Sequence, residues 1–207
     1  IEQTQVDPDT GYDFANGLQS LMRQDPDIIF VGEIRDQKTA TIAVQAALTG
    51  HLVFSTVHAN SAAGAIPRLL DLEVRPASIG PAMNLIIAQR LVRSLCVKCK
   101  VHQKVSKDME DKIKKFLRNL PERVDRADYQ EIKLYAPKGC GECNNLGYKG
   151  RVAIFELMEV GDEMEKIINE KVGEVDIYKQ ALQQGMVTMQ QDGILKAISG
   201  ITSLEEV

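Results

Sequence analysis

The apolar run Ile28-Ile29-Phe30-Val31 does not alternate with polar residues, and such a run predicts a strand covered on both faces within a parallel sheet. Behind it, Asp36 precedes a stretch in which Ala40, Ala43, Val44, Ala47 and Leu48 share one face, closed by Thr49-Gly50. That pattern predicts a helix with an acidic N-cap and a glycine stop. His51-Leu52-Val53-Phe54-Ser55-Thr56-Val57-His58 then reads as a second buried strand. Strand, helix and strand make a βαβ unit, whose right-handed crossover lays the second strand parallel to the first.

The remaining patterns are shorter. Glu2 to Val6 predicts a short strand, and Asp7-Pro8-Asp9-Thr10-Gly11 a turn. Asp13 caps a helix whose Phe14, Leu18, Leu21 and Met22 form one stripe. Ser61 opens a helix toward Leu72 that Pro67 is expected to kink or split. Ser78 to Leu95 reads as a further helix, with Pro81 in its first turn and Leu85, Ile86, Leu91, Val92 and Leu95 apolar. Ser106 to Leu120 predicts a charged helix with Met109, Ile113, Phe116, Leu117 and Leu120 on one side. Lys98, Lys100, Lys104, Lys107, Lys112, Lys114 and Lys115 concentrate positive charge in and just before this helix, interleaved with Asp108, Glu110 and Asp111, which favours a solvated face over a phosphate or lipid patch. A glycine turn at Gly147–Arg151 leads into a strand from Val152 to Val160. Helices over 162–170, 177–184 and 188–199 follow, with glycines 185 and 200 as stops.

Composition narrows the function classes. With 207 residues, 22.9 kDa and 44% hydrophobic content, the chain has material for a core and room for two domains. A net charge of −4 and a pI near 5.5 argue against a nucleic-acid binder that relies on overall positive charge. There is no long apolar run and no signal-peptide pattern, so membrane association is expected through partners.

Candidate chemistry sits where the first strand ends. Ligands of open α/β sheets lie at the carboxyl edge, so Glu33 is a candidate for holding or activating a water, and Gly32 beside it permits close approach. An acid in an ordinary strand-to-helix turn fits the same residues. The parallel crossover brings His58 to the same edge. His51 lies at the other end: seven steps at about 3.3 Å span roughly 23 Å, so both histidines cannot touch one small ligand through this strand. A polar group satisfied at a strand entrance is the plainer reading of His51.

All four cysteines fall in two pairs, Cys96-x-x-Cys99 and Cys140-x-x-Cys143. Two such pairs complete a tetrahedral thiolate site with metal–sulfur bonds of about 2.3 Å. Two disulfides would require an oxidising compartment, and two redox dithiols a thioredoxin-like context that the sequence lacks. The pattern favours structural Zn²⁺ and leaves His102 surplus.

The segments RQDPDIIFVGEIRD and LTGHLVFSTVHAN, with GlnArgLeuValArg at 89–93 and the tetracysteine pattern, resemble the ATPases that drive type II secretion and type IV pilus assembly. The resemblance runs with gaps from about Thr4 to Val207. It implies an α/β fold: part of a RecA-like P-loop NTPase core carrying the Walker B and His-box strands, then a tetracysteine zinc module and a small helical C-terminal subdomain. The implied division is 1–95, 96–151 and 152–207. Glu33 maps to the Walker B acid acting on water and Mg²⁺, and His51 and His58 to the His-box, with His58 near the γ-phosphate of ATP. Arg23 and Arg35 map to arginines associated with nucleotide, although a last-turn arginine is also an ordinary helix-dipole partner.

The resemblance further implies a cytoplasmic homo-hexamer at the inner membrane, held there by platform and adaptor proteins, with no membrane span and no nucleic acid. Retraction motors of pili generally lack the tetracysteine module, which disfavours that branch. No Gly-x-x-x-x-Gly-Lys-Ser/Thr occurs in the 207 residues, and the chain starts at Ile1 without an initiator Met. The expectation is the C-terminal half of a longer protein, unable alone to hydrolyse ATP at a useful rate. The competing reading is a zinc-organised docking module without catalysis.

Overall fold

A computed structural model describes residues 2–129, 131–170 and 173–207. In chain order the elements of the first half are α1 (Phe14–Leu21), β1 (Ile28–Val31), α2 (Gln37–Leu48), β2 (Leu52–Ser55), α3 (Ala65–Asp71), α4 (Pro76–Ala82) and β3 (Leu85–Leu95). Then come β4 (Val101–Gln103), α5 (Lys107–Arg118), β5 (Leu134–Ala136), β6 (Tyr148–Glu159), α6 (Asp162–Asn169), α7 (Glu174–Gln183) and α8 (Met189–Ile198). They pack as two units, Ile1–Ile86 with Met158–Ala181, and Ile87–Leu157 with Leu182–Val207.

In the first unit β1 and β2 pair in parallel, Ile28 opposite Leu52 and Val31 opposite Ser55, as the crossover requires. Asp36 caps α2 through Oδ1, which accepts the Thr39 N–H at 2.8 Å, while Thr39 Oγ1 donates to Oδ2 at 2.9 Å. Asp13 caps α1 in the same way, accepting the Asn16 N–H at 2.7 Å.

Burial departs from expectation at both strands. Ile29 and Val31 are buried, but Ile28 and Phe30 are 61% and 71% exposed, as are Leu52 and Phe54 at 45% and 52%. The pair is covered on one face, not two: α2 packs against β2, while the face of Ile28, Phe30, Leu52 and Phe54 stays exposed. β2 stops at Ser55, short of the predicted His58. The buried face of α2 is also rotated: Thr39, Ala40, Ile42, Ala43, Val44 and Ala46 face inward, leaving Leu48 exposed.

Three further expectations give way. Residues 2–6 form no strand; Asp7 makes a single antiparallel bridge to Tyr12 beyond the turn. The helix expected from Ser61 begins only at Ala65, which puts Pro67 in its first turn, where no intrahelical N–H is required. Ser61 instead closes the preceding turn by accepting the Gly64 N–H at 2.9 Å.

Most consequential, the helix predicted over 78–95 is two elements. α4 ends at Ala82, and Leu85–Leu95 is an eleven-residue strand paired with β6. Ile86, Val92 and Leu95 are buried while Leu85, Ile87 and Leu91 face out. The arginines of the 89–93 segment therefore lie on a strand, not on an amphipathic helix. β6 starts at Tyr148, so Gly150, at φ +81°, sits within a strand and not in the turn expected before it.

The second unit has a core of Ile113, Leu134, Ile194, Ala197 and Ile198, with Phe116, Leu117, Leu204 and Val207 packed against it. α5 is capped by Ser106, whose Oγ accepts the Met109 N–H at 3.3 Å, and Ile113 is its buried anchor. The segment between the cysteine pairs thus has an apolar anchor on α8 besides the thiols. The last three helices are divided: α6 and α7 up to Ala181 pack in the first unit, α8 in the second.

Candidate functional site

The turn after β1 carries Gly32, Glu33 and Arg35, and the segment after β2 carries Thr56 and His58. Two bonds hold these turns together: Ile34 N–H donates to Thr56 O at 2.9 Å, and Thr56 Oγ1 donates to Gly32 O at 2.7 Å. Thr56 is thus a positioning residue that no motif of the sequence marks. Its signal was a hydroxyl directly after a strand that must align with a neighbouring turn.

With the turns aligned, Glu33 Oε2 lies 2.5 Å from Arg35 Nε and 3.3 Å from His58 Nε2. The carboxylate is mostly covered, its side chain 23% exposed, whereas Arg35 and His58 are 68% and 81% exposed. One semi-buried acid flanked by a fixed cation and an imidazole can hold a water and accept its proton. A Cβ on Gly32 would stand 3.8 Å from the Phe14 ring, ordinary contact, so glycine is not required there by crowding.

His51 is elsewhere. Its Nδ1 lies 3.0 Å from Ala46 O and 3.2 Å from Thr49 Oγ1, at the C-terminus of α2. Arg23 is exposed in the single turn Met22–Gln24 that precedes β1, toward the strand starts. The structure therefore brings Glu33, Arg35 and His58 together and leaves His51 and Arg23 apart from them.

In the second unit the sulfurs of Cys96, Cys99, Cys140 and Cys143 all lie within 4.8 Å of one another. Three separations are 3.9 Å for Cys96–Cys140, 3.8 Å for Cys99–Cys143 and 3.7 Å for Cys140–Cys143. A tetrahedron with bonds of about 2.3 Å has edges of about 3.8 Å, so the set is shaped to hold one metal ion. All four thiols are free of disulfides.

Burial pushes the Cys99 thiol up to about 12. Burial also pushes Cys143 upward, but the N–H groups of Cys140 and Gly147, each 3.2 Å from its sulfur, outweigh it and hold Cys143 down at about 7. Such N–H donors are the usual support of a bound thiolate. Gly147 is constrained for a second reason, since at φ +77° a Cβ would meet Pro137 Cβ at 2.3 Å. His102 takes no part in the cluster and packs against the Tyr135 ring at 4.5 Å.

An α/β unit with an acid–imidazole pair at its sheet edge, followed in the chain by a four-thiol centre, defines the class. The chain belongs to the family of Type II/IV secretion system proteins, which matches residues 1–207. It is 48% identical over 207 residues to the type IV pilus assembly ATPase PilB of Thermus thermophilus, covering 100% of this chain and 22% of that protein. It is 44% identical over 207 residues to the type II secretion system ATPase E of Vibrio cholerae, covering 100% and 39%. Among solved structures, the pilus retraction motor PilT with bound ADP matches with a TM-score of 0.60 at 26% identity, over 94% of this chain and 42% of that one. The chain thus spans well under half the length of each. No helix among the described residues is long and apolar enough to cross a membrane.

Proposed function

We propose that these residues are the C-terminal part of an ATP-driven motor for type IV pilus assembly or type II secretion. They supply one wall of a RecA-like nucleotide site whose phosphate-binding loop lies in sequence outside the 207 residues. The carrying observation is the convergence of Arg35 Nε and His58 Nε2 on one oxygen of Glu33 at the carboxyl edge of a parallel pair. On this reading Glu33 orients the attacking water and accepts its proton. Arg35 holds the carboxylate in place, and His58 faces the γ-phosphate. Arg23 and His51, away from that edge, are assigned to contacts with nucleotide bound by a neighbouring subunit or to the frame. Bound Mg²⁺ neutralises phosphate charge, and Glu33 is the carboxylate of this edge suited to it.

The four thiols suit structural Zn²⁺, which stabilises the fold when bound and leaves no ligand position for water. The functional division is a core part over 1–95, the zinc module over 96–151 and a strand with helices over 152–207, and it cuts across the packing units. The working assembly is a cytoplasmic homo-hexamer, held at the inner membrane by platform and adaptor proteins and engaging no nucleic acid. Lacking a Gly-x-x-x-x-Gly-Lys-Ser/Thr motif, the 207 residues alone hydrolyse no ATP at a useful rate.

The test is Glu33→Gln in the longer protein: ATP binding is retained and turnover falls about 10²- to 10⁴-fold. Unchanged turnover removes Glu33 from its role. Because the best-formed ligand set is the four-thiol cluster, a non-catalytic docking module is the second reading, and it gains if the longer protein neither binds nor hydrolyses ATP.

A further inference from the structure

His58 stands on a span of chain with little of its own to fix it. Val57, His58, Ala59 and Asn60 belong to no helix or strand, and among the described residues the one bond they make is the His58–Glu33 contact. The His58 side chain is 81% exposed, so packing does not orient it. Where the imidazole points is therefore set by the two ends of the span. Thr56 ties the front end to the Glu33 turn through its carbonyl and its hydroxyl. The back end is Ser61, and its tie comes from far along the chain.

Ser61 Oγ accepts the Gly64 N–H at 2.9 Å and donates its own proton to Glu174 Oε1 at 2.7 Å. Glu174, 113 residues later, opens α7, which Ile177 and Ala181 seat at 0% and 1% exposure. Positions 174, 177 and 181 share one helical face, so the residues that bury α7 also bring its first carboxylate to the turn. An acid in a first turn suits the helix dipole whichever way it points, and Asp176 in the same turn pairs with Lys179 instead. The dipole therefore does not account for the aim of Glu174. Space is kept for it as well: a Cβ on Gly64 would stand 3.0 Å from both Glu174 Oε1 and Ser61 Oγ, although the Gly64 backbone, at φ −70° and ψ −14°, suits any residue. One short chain of bonds, from Gly64 N–H through the Ser61 hydroxyl to the Glu174 carboxylate, thus fastens the turn three residues beyond His58.

We propose that Glu174 is a positioning residue for His58: from the C-terminal helices it fixes the far end of the 57–60 span and so holds the imidazole beside Glu33. The role rests on the motor reading of that edge. A hydrogen bond made at the surface adds little to folding, so the effect of Glu174 on turnover exceeds its effect on stability. α7 carries no group of the edge, yet through this bond its seating bears on the edge.

The test has two arms. In the 207-residue chain, hydrogen exchange of the Gly64 amide quickens about fivefold in Glu174→Ala, while Glu174→Gln, which keeps an oxygen for the Ser61 hydroxyl, stays near the parent. In the longer protein Glu174→Ala lowers kcat for ATP about five- to tenfold, with KM within about twofold of the parent and thermal melting unchanged. Glu174→Gln retains most of the turnover, and Ser61→Ala combined with Glu174→Ala loses no more than either alone. A merely structural role would lower the melting temperature and leave Gln no better than Ala, and either result overturns the inference. So does parent-like turnover of Glu174→Ala in a protein that Glu33→Gln silences: the buried Ala62 and Ala63 would then fix the loop unaided, and the motor reading would stand. If Glu33→Gln itself leaves turnover unchanged, the motor reading falls and takes this role with it, a failure told apart by the exchange arm, in which Glu174→Ala still frees the turn.

Discussion

The two candidate centres are built on opposite principles. At the sheet edge the groups stand on turns after short strands, and two of the three, Arg35 and His58, are mostly exposed. In the second unit the ligand atoms are drawn inward, with Cys96, Cys99 and Cys143 buried and N–H donors already aimed at one sulfur. The cysteine cluster offers four ligand atoms that could hold one ion, whereas the Glu33 edge joins one carboxylate to an exposed guanidinium and imidazole. On the proposed reading the closed thiol site contributes to folding and the open acid–imidazole edge to chemistry. Stability and function should therefore separate when each is perturbed.

The largest effect is expected at the thiols. Bound zinc gives small modules about 10 to 16 kcal/mol of apparent folding free energy, so Cys143→Ser should abolish stoichiometric metal and lower the thermal midpoint by more than about 10 °C. Elemental analysis and calorimetry with and without a chelator check this. The apolar cluster of Ile113, Leu134 and Ile198 is independent of the sulfurs, so helical signal from α5 and α8 is expected to persist after the midpoint drops. A variant that keeps its metal and its midpoint would erase the contrast.

How far these centres could be read from sequence follows the same divide. The Cys-x-x-Cys pairs were legible because chelation depends on residue type and local spacing. The capping acids Asp13 and Asp36 were legible for a similar reason, since a cap is a bond to the third residue on. The convergence of Glu33 and His58 followed from the handedness of one crossover. What failed was nonlocal. Leu85, Ile86, Leu91, Val92 and Leu95 fit a helical stripe within their own window, yet the segment pairs as a strand with β6, more than fifty residues away. Likewise the continuous apolar run of β1 implied two covered faces, but what lies over a face is decided by other segments, not by the run itself.

A smaller effect tests what fastens the C-terminal segment to β3 near Cys96. Arg93 N–H and Nη2 donate to Glu206 at 2.9 and 2.6 Å, and these bonds hold the Glu206 carboxyl below its ordinary range. Thr202 Oγ1 adds a bond to Arg93 O at 2.7 Å. A carboxyl whose folded pKa is depressed adds stability above its unfolded value of about 4.3, and that stability is lost as pH falls through the lower folded value. Glu206→Gln should therefore lower the urea midpoint at about pH 6, with a cost that shrinks as pH falls below about 4.3 toward the lower folded value. Equal losses at both pH values would mean that packing, not charge, fastens the segment.

The smallest stability change is expected at the edge, and it sharpens the comparison most. His58 is 81% exposed and meets Glu33 at 3.3 Å, and a contact this accessible contributes little to folding. His58→Ala should shift unfolding free energy by no more than about 0.5 kcal/mol, measured by urea titration of the 207-residue chain. On the proposed motor reading the same substitution in the longer protein should lower ATP turnover while leaving its assembly unchanged, because the exposed imidazole meets Glu33 and is no part of the buried core. If His58→Ala instead unfolds the βαβ unit, the edge is a structural clasp, and the division between a centre that holds the fold and one that works on substrate fails.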